Sequence, residues 1–405
     1  MRGLLLHPAD VPVLVVFEDA SDWLWEETLR AWGSLAPQVI DSVTDADTEG
    51  LRLVVLTQRP GTETVAAYPK SLEVTTIDSS DEKRAAERLT VQVTMHLLKA
   101  HAGKKHLLHA AALGNPESKQ AVGLVAASGT GKTTAARKLG ASLTYLSDET
   151  AVINIDDLSI MPYPKPLSVI ENENEPKVQY DPAQQGLKVA EPGSTYTLSH
   201  LVILDRDKTG QAPVSWERLP LDEALFAIVL QSSGVQQMPR GLEELARLLN
   251  RVGGAIKLTY SEISDTVPFF EELLAGQEKA APLVQEFLYQ AAPVTGCEDE
   301  REQEALADGT AYFRRAEGTE VLAIDEKFLL TTKGILSRIS ITAFDIWTFL
   351  ETPRSYEEVY EKMQELYGVI DRESFSVAVE EMVKTQMIVP YGEYSSAPSV
   401  SSHRE

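Results

Sequence analysis

Cysteine is almost missing from this sequence. Cys297 stands alone, so no disulfide can form within the chain. It sits in an acidic stretch with no basic neighbour to activate the thiol, and it reads as incidental. Long apolar runs are missing too. None approaches the ~18 residues of a membrane span. The opening Met1-Arg2-Gly3-Leu4-Leu5-Leu6-His7 has too short an apolar part for a signal peptide. A cytoplasmic location with no membrane partner is expected. Positive charge is scarce as well: 37 Lys and Arg face 61 Asp and Glu, for a formal net charge of −24. Coating DNA or RNA takes clustered Lys and Arg, so no nucleic-acid partner is expected. The same charge argues against an anionic membrane surface.

What remains is ordinary globular material. Hydrophobic residues make up 43 % and charged residues 24 % of 405 positions. That is enough to bury a core without staples, and the length suggests two or three domains. Val-rich runs at 11–17 and 51–56 read as strands, with Pro12 confined to the start or edge of its strand. Ser79-Ser80-Asp81 precedes a long helical run through Ala86, Leu89, Val93 and Leu97. Strand-like segments at 107–113, 121–127, 143–146 and 201–204 then alternate with helical ones, which points to an α/β sheet with covering helices. An acidic stretch around Glu298-Asp299-Glu300-Arg301-Glu302 reads as a solvated linker. Beyond it come strands at 312–314 and 320–324 and three short helices, one opened by a Ser355/Glu358 capping box. A closing strand at 387–389 ends this segment. The division is an N-terminal α+β segment 1–103, a nucleotide-binding domain 104–290, a linker 291–310, a C-terminal domain 311–392 and a disordered tail 393–405.

The chemistry concentrates in Ala126-Ala127-Ser128-Gly129-Thr130-Gly131-Lys132-Thr133-Thr134. An apolar strand leads into it and a helix follows, the context of a phosphate loop. Glycines let backbone N–H groups converge on a phosphate, and the helix N-terminus favours the anion. Ser128, Gly129, Thr130, Gly131, Lys132, Thr133 and Thr134 are therefore the expected nucleotide-binding residues. Lys132 reaches the β- and γ-phosphates and the Thr133 hydroxyl holds Mg²⁺. Ala126 stands where the first glycine of G-x-x-x-x-G-K-[ST] is usual, which puts the loop's turn in question.

Two acids compete for the reaction. Ser147-Asp148-Glu149-Thr150 follows the strand after the loop helix, where a carboxylate faces the γ-phosphate and takes a proton or holds Mg²⁺. A solvated turn is the plain alternative. Asp205 ends the apolar strand Leu201-Val202-Ile203-Leu204, the form of a Walker B strand and equally of an ordinary turn. Arg206 beside it reads as exposed. His109 lies in the apolar run before the loop strand and reads as a core residue or a site residue, and His106 as a surface one. No His or Cys spacing suggests zinc.

The sequences 109–113, 127–134, 146–149 and Pro162-Tyr163-Pro164-Lys165-Pro166-Leu167, in that order, resemble the HPr kinase/phosphorylase-like fold, above all the branch that includes the lasso-peptide kinases. The resemblance covers roughly 104–260. It implies an α/β P-loop central domain and ATP- and Mg²⁺-dependent transfer of phosphate to a Ser hydroxyl. It makes Asp148 the proton acceptor, with His109 and Lys132 as the other catalytic residues. Thr133, Asp148 and Glu149 become the metal-side residues; Glu149 stands where the family has Asp. Residues 311–390 resemble PqqD-like winged-helix domains, which bind leader peptides of ribosomally made natural products. That implies a precursor peptide as partner, added as a strand to the small sheet. A homo-oligomer is compatible with all of this. The residues leave open an ATPase assisting another peptide modification, a peptide chaperone with a vestigial nucleotide site, and a small-metabolite kinase.

Overall fold

A computed structural model describes residues 1–44, 48, 50–127, 131–191, 193–276, 287–292 and 312–391. The chain is mixed α/β, with several sheets, and divides into two compact units. One holds Met1–Met238 and Leu245–Leu283; the other holds Pro239–Glu244 and Val284–Glu405. The linker and tail expectations fall almost wholly outside the described residues, as does Cys297.

The first unit begins with a five-stranded sheet in the order Gln38–Ile40, Arg2–Leu6, Val13–Phe17, Arg52–Thr57, Glu73–Asp78. Val13–Phe17 and Arg52–Thr57 pair in parallel, and nearly every residue in them is buried. Burial on both faces explains why they read as continuous apolar runs rather than alternating ones. The opening Leu4-Leu5-Leu6 is a strand of this sheet, antiparallel to both neighbours. Helices Asp22–Ala31 and Glu82–His101 start at Ser21 and Asp81, whose side chains accept from Leu24 N and Arg84 N at 3.1 Å each. Leu89, Val93 and Leu97 of the long helix share one core with Val15 and Val54. The same core takes in Leu107, Val152 and Tyr163. The boundary expected at 103/104 thus falls inside one unit. Each such fully buried aliphatic side chain contributes roughly 1.5–3 kcal/mol.

The larger sheet of this unit is mixed and has eleven strands. Its middle runs Thr144–Ser147, Ala110–Gly114, Gln120–Val125, Tyr196–Arg206, Ser159–Met161. Ala255–Tyr260 lies on Tyr196–Arg206 in parallel register. Helices Lys132–Leu139 and Val267–Ala275 bury Ala135, Ala136, Leu139, Phe270 and Leu274 against Ala111, Leu113, Val122 and Leu124. The single strand expected at 107–113 is in fact two, His106–Leu108 and Ala110–Gly114, broken at His109. They pair with different neighbours: the first with Ala151–Ile153 and Ser232–Ser233, the second with Gln120–Val125 and Thr144–Ser147.

The second unit has an antiparallel sheet in the order Leu288–Ala291, Glu320–Ile324, Lys327–Thr332, Ile335–Ile339. A three-stranded sheet joins Arg354–Ser355, Tyr312–Arg315 and Ile388–Tyr391. Helices Ile341–Phe349, Tyr356–Tyr367 and Arg372–Lys384 close over a core that includes Phe313, Val321, Trp347, Met363 and Phe375. The capping box is present: Glu358 N donates to Ser355 Oγ at 3.3 Å and Ser355 N donates to Glu358 Oε2 at 2.7 Å. Leu288–Ala291 pairs with Glu320–Ile324, so it belongs here and not to the central segment that was expected to run to 290.

Candidate nucleotide and acid site

The register of three strands assembles the site. Ala110–Gly114 runs antiparallel to Gln120–Val125 on one side and to Thr144–Ser147 on the other. The two outer strands therefore finish at the same end of the sheet. Ala110 lies opposite Val125 and Ala112 opposite Ser147, with a bulge after Ala112. The segment leaving Val125 and the acids leaving Ser147 thus flank His109, which sits at the break between its two strands.

Ser128, Gly129 and Thr130 lie outside the described residues. Gly131 has φ 101° and ψ 18°, and among the described residues nothing lies within 4 Å of where a Cβ would stand. Such a φ favours glycine. Helix Lys132–Leu139 starts there with no side-chain cap, so its first-turn N–H groups have no side-chain acceptor at Gly131. Thr133 and Thr134 are exposed on that turn. Lys132 is only 8 % exposed, and its Nζ donates to Ala126 O at 3.0 Å and to His109 O at 3.2 Å. Burial lowers its pKa, and the charges of Glu149 and Asp148 partly oppose that. Burial also lowers His109, helped by Lys132 and opposed by the acids, which favours the neutral imidazole. The backbone of His109 is held by Gln231 O at 2.6 Å.

Asp148 is 4 % exposed, whereas the Glu149 side chain is about half exposed. Ser147 fixes the turn that carries them: its Oγ donates to Thr150 O at 2.8 Å and accepts from Thr150 N at 3.2 Å. A second segment runs alongside, tethered by Tyr163 N to Leu146 O at 2.9 Å. It delivers Lys165, which is 3 % exposed, with Nζ 2.9 Å from Glu149 Oε2 and 3.5 Å from Asp148 Oδ1. Burial alone depresses a lysine, yet the Asp148 and Glu149 charges outweigh it and hold Lys165 above its ordinary value. Glu149 is pushed up by burial but ends lowered, because Lys165 faces it directly. Asp148 and Lys165 form a nearly buried ion pair next to the loop helix. The sequence assigns no role to Lys165; its one signal is a lysine fixed between Pro164 and Pro166 in an otherwise apolar stretch.

Asp205 also lies at this end of the sheet, two residues past Ile203, which faces Val125. It is half exposed and paired to Lys257 at 3.2 Å. Arg206 is tied to Ser261 O and Glu262 Oε1, each at 3.1 Å. His106, expected on the surface, is 4 % exposed, and burial brings its pKa down to about 4. Ala126 is buried and does not have a positive φ.

Among the described residues no group of three or more His, Cys, Asp or Glu forms a metal cage. A phosphate-bound Mg²⁺ needs only one or two carboxylates and a hydroxyl. The Thr133 hydroxyl on the first helical turn and the acids at the adjoining strand end supply oxygens of that kind. No helix of the described residues is long and apolar enough to cross a membrane.

No protein-family profile matches the chain, and no curated protein matches it. Among solved structures, the Hpr(Ser) kinase/phosphatase from Coxiella burnetii is similar over 42 % of this chain and 93 % of that one. The identity is 11 % and the TM-score 0.23. At that score the likeness carries no argument about this chain.

Proposed function

We propose that this chain is an ATP- and Mg²⁺-dependent kinase that phosphorylates a Ser hydroxyl of a ribosomally made precursor peptide. The observation that carries the reading is the meeting of a buried loop lysine with a lysine-braced acid pair across one strand. Lys132 touches the His109 carbonyl, and Asp148 and Glu149, braced by Lys165, leave the strand Thr144–Ser147, which pairs with Ala110–Gly114 on the edge opposite Gln120–Val125. Lys132 and the first-turn N–H groups hold the β- and γ-phosphates. Mg²⁺, held from the protein side by Thr133 and the acid pair, supplies charge neutralisation of the phosphates. The acceptor oxygen forms a new bond to the γ-phosphorus as the bond to the βγ-bridging oxygen breaks. ADP leaves with that electron pair, and the hydroxyl proton passes to the acid pair, with Asp148 as the assigned acceptor.

The second unit serves as the PqqD-like leader-binding domain. Its strand Ile335–Ile339 pairs with Lys327–Thr332 on one side and, among the described residues, with nothing on the other. Exposed Ile335 and Ile341 flank that edge. An extended peptide adds to such an edge through backbone hydrogen bonds, and tethering raises the acceptor's effective concentration. The test is mass spectrometry of precursor peptides encoded beside this chain, incubated with Mg·ATP. A gain of one phosphate on a Ser supports the reading. Phosphate release with no phosphopeptide overturns it in favour of an ATPase.

A further inference from the structure

The N-terminal segment has no role that its sequence declares, yet one of its helices borders the acid site. A cavity of about 160 Å³ opens beside His109 and Glu149. Met95 and Leu98 of helix Glu82–His101 form one wall, Leu107 another, and Ser233 part of the rim. The walls are mostly apolar, while Glu149 and His109 are among the lining residues. The His109 carbonyl is also where Lys132 rests, so the cavity adjoins the phosphate side of the site. Asp148 is not in the lining; it is buried beside Lys165. Of the two acids, the one that lines this cavity is Glu149.

We infer that this cavity is the acceptor subsite, taking the compact apolar side chain next to the hydroxyl that receives phosphate. The inference rests on the kinase reading and deepens it. Size sets the occupant: a cavity of ~150 Å³ with apolar walls accommodates a benzene-sized group. One Leu, Ile or Phe side chain fits, and a folded protein surface does not enter. Seating that side chain against Met95 and Leu98 leaves the adjoining hydroxyl at the Asp148–Glu149 turn that borders the cavity. The acceptor oxygen then bonds to the γ-phosphorus, ADP departs with the electron pair of the broken bond, and the proton goes to the acid pair.

The experiment has two arms on the full chain. In the first, ¹³C-methyl methionine NMR follows Met95 while cyclohexanol, a hydroxyl on a compact apolar ring, is titrated in. Met95→Leu assigns the signal. A saturable shift of Met95 that is lost in Ser233→Trp is expected; an unresponsive Met95 overturns the inference. In the second, Ser233→Trp and Met95→Trp, both at exposed positions, fill the cavity. The acceptor-peptide KM is expected to rise tenfold or more, with the KM for ATP unchanged. Unaltered peptide kinetics in both variants overturns the inference and leaves the kinase reading standing. A responsive Met95 in a chain that phosphorylates no peptide overturns that reading instead and retains the cavity as a binding site.

Discussion

Lys165→Met tests the site at its least solvated point. The substitution keeps most of the side-chain volume and removes the cation that faces Asp148 at 3.5 Å and Glu149 at 2.9 Å. Glu149 is half exposed, so water screens its loss and its share is small. Asp148 is 4 % exposed and is left as an unpaired buried charge. Breaking a buried pair from one side costs about 3–5 kcal/mol. The lower end suits a contact of 3.5 Å, and about 3 kcal/mol lowers the melting temperature of a unit this size by roughly 6–12 °C. The pH dependence has a definite sign. Lys165 is raised in the fold, so its stabilisation is fully present at pH 7 and lost only as pH rises through its elevated value. Glu149 is lowered, so its part is present above the ordinary carboxylate range and lost as pH falls through the lowered value. The gap between variant and wild type is therefore widest near neutrality and narrows as Glu149 protonates. Calorimetry reads it directly, and Trp23, Trp25, Trp32 and Trp216 report optically from the same unit. Lys165→Met with Asp148→Asn removes both charges and recovers most of the loss. A single variant melting within about 2 °C of wild type at pH 7, or a double variant no more stable than the single, refutes the reasoning.

Three further outcomes are expected. Asp148→Asn keeps ATP binding by calorimetry and loses phosphoryl transfer; equal transfer by variant and wild type removes Asp148 from the proton-acceptor role. Deleting residues 284–405 weakens precursor-peptide binding at least tenfold and spares ATP affinity, and unchanged peptide affinity removes leader capture from the second unit. His106 is buried neutral with a pKa of about 4, so the unfolded chain binds its proton first as pH falls below about 6.5. Wild type should lose up to about 3 kcal/mol from this residue between pH 6.5 and pH 4. Urea melts of His106→Gln should fall less steeply over that window; identical slopes discard the assignment.

The strand before the loop and the helix from Lys132 were legible because each is coded locally, as a Val and Ala run and then helix formers. The break at His109 was not. Residues 107–113 are apolar except for His109, and what divides them there is pairing with Ala151–Ile153 on one side and Gln120–Val125 on the other. One polar residue in an apolar run does not announce a break, because such pairing is non-local. Lys165 stood in one of the stretches that carry the resemblance, yet its role was not legible, since its partners Asp148 and Glu149 arrive from another strand. Lys327–Thr332 and Ile335–Ile339 were not expected as strands, although Lys333 at φ 49° and Gly334 at φ 80° make a two-residue turn suited to a hairpin. Ala126 inverts the pattern, because the sequence raised a difficulty that the backbone at Ala126 itself does not show. Glycine is required where φ is positive or where a Cβ has no room. Ala126 meets neither condition: its φ is not positive, and it lies in the same core as Ala135, Ala136 and Val202. Its carbonyl, present in any residue, is the part that receives Lys132. At its own position, then, alanine in place of glycine supplies no steric ground for calling the candidate nucleotide site vestigial.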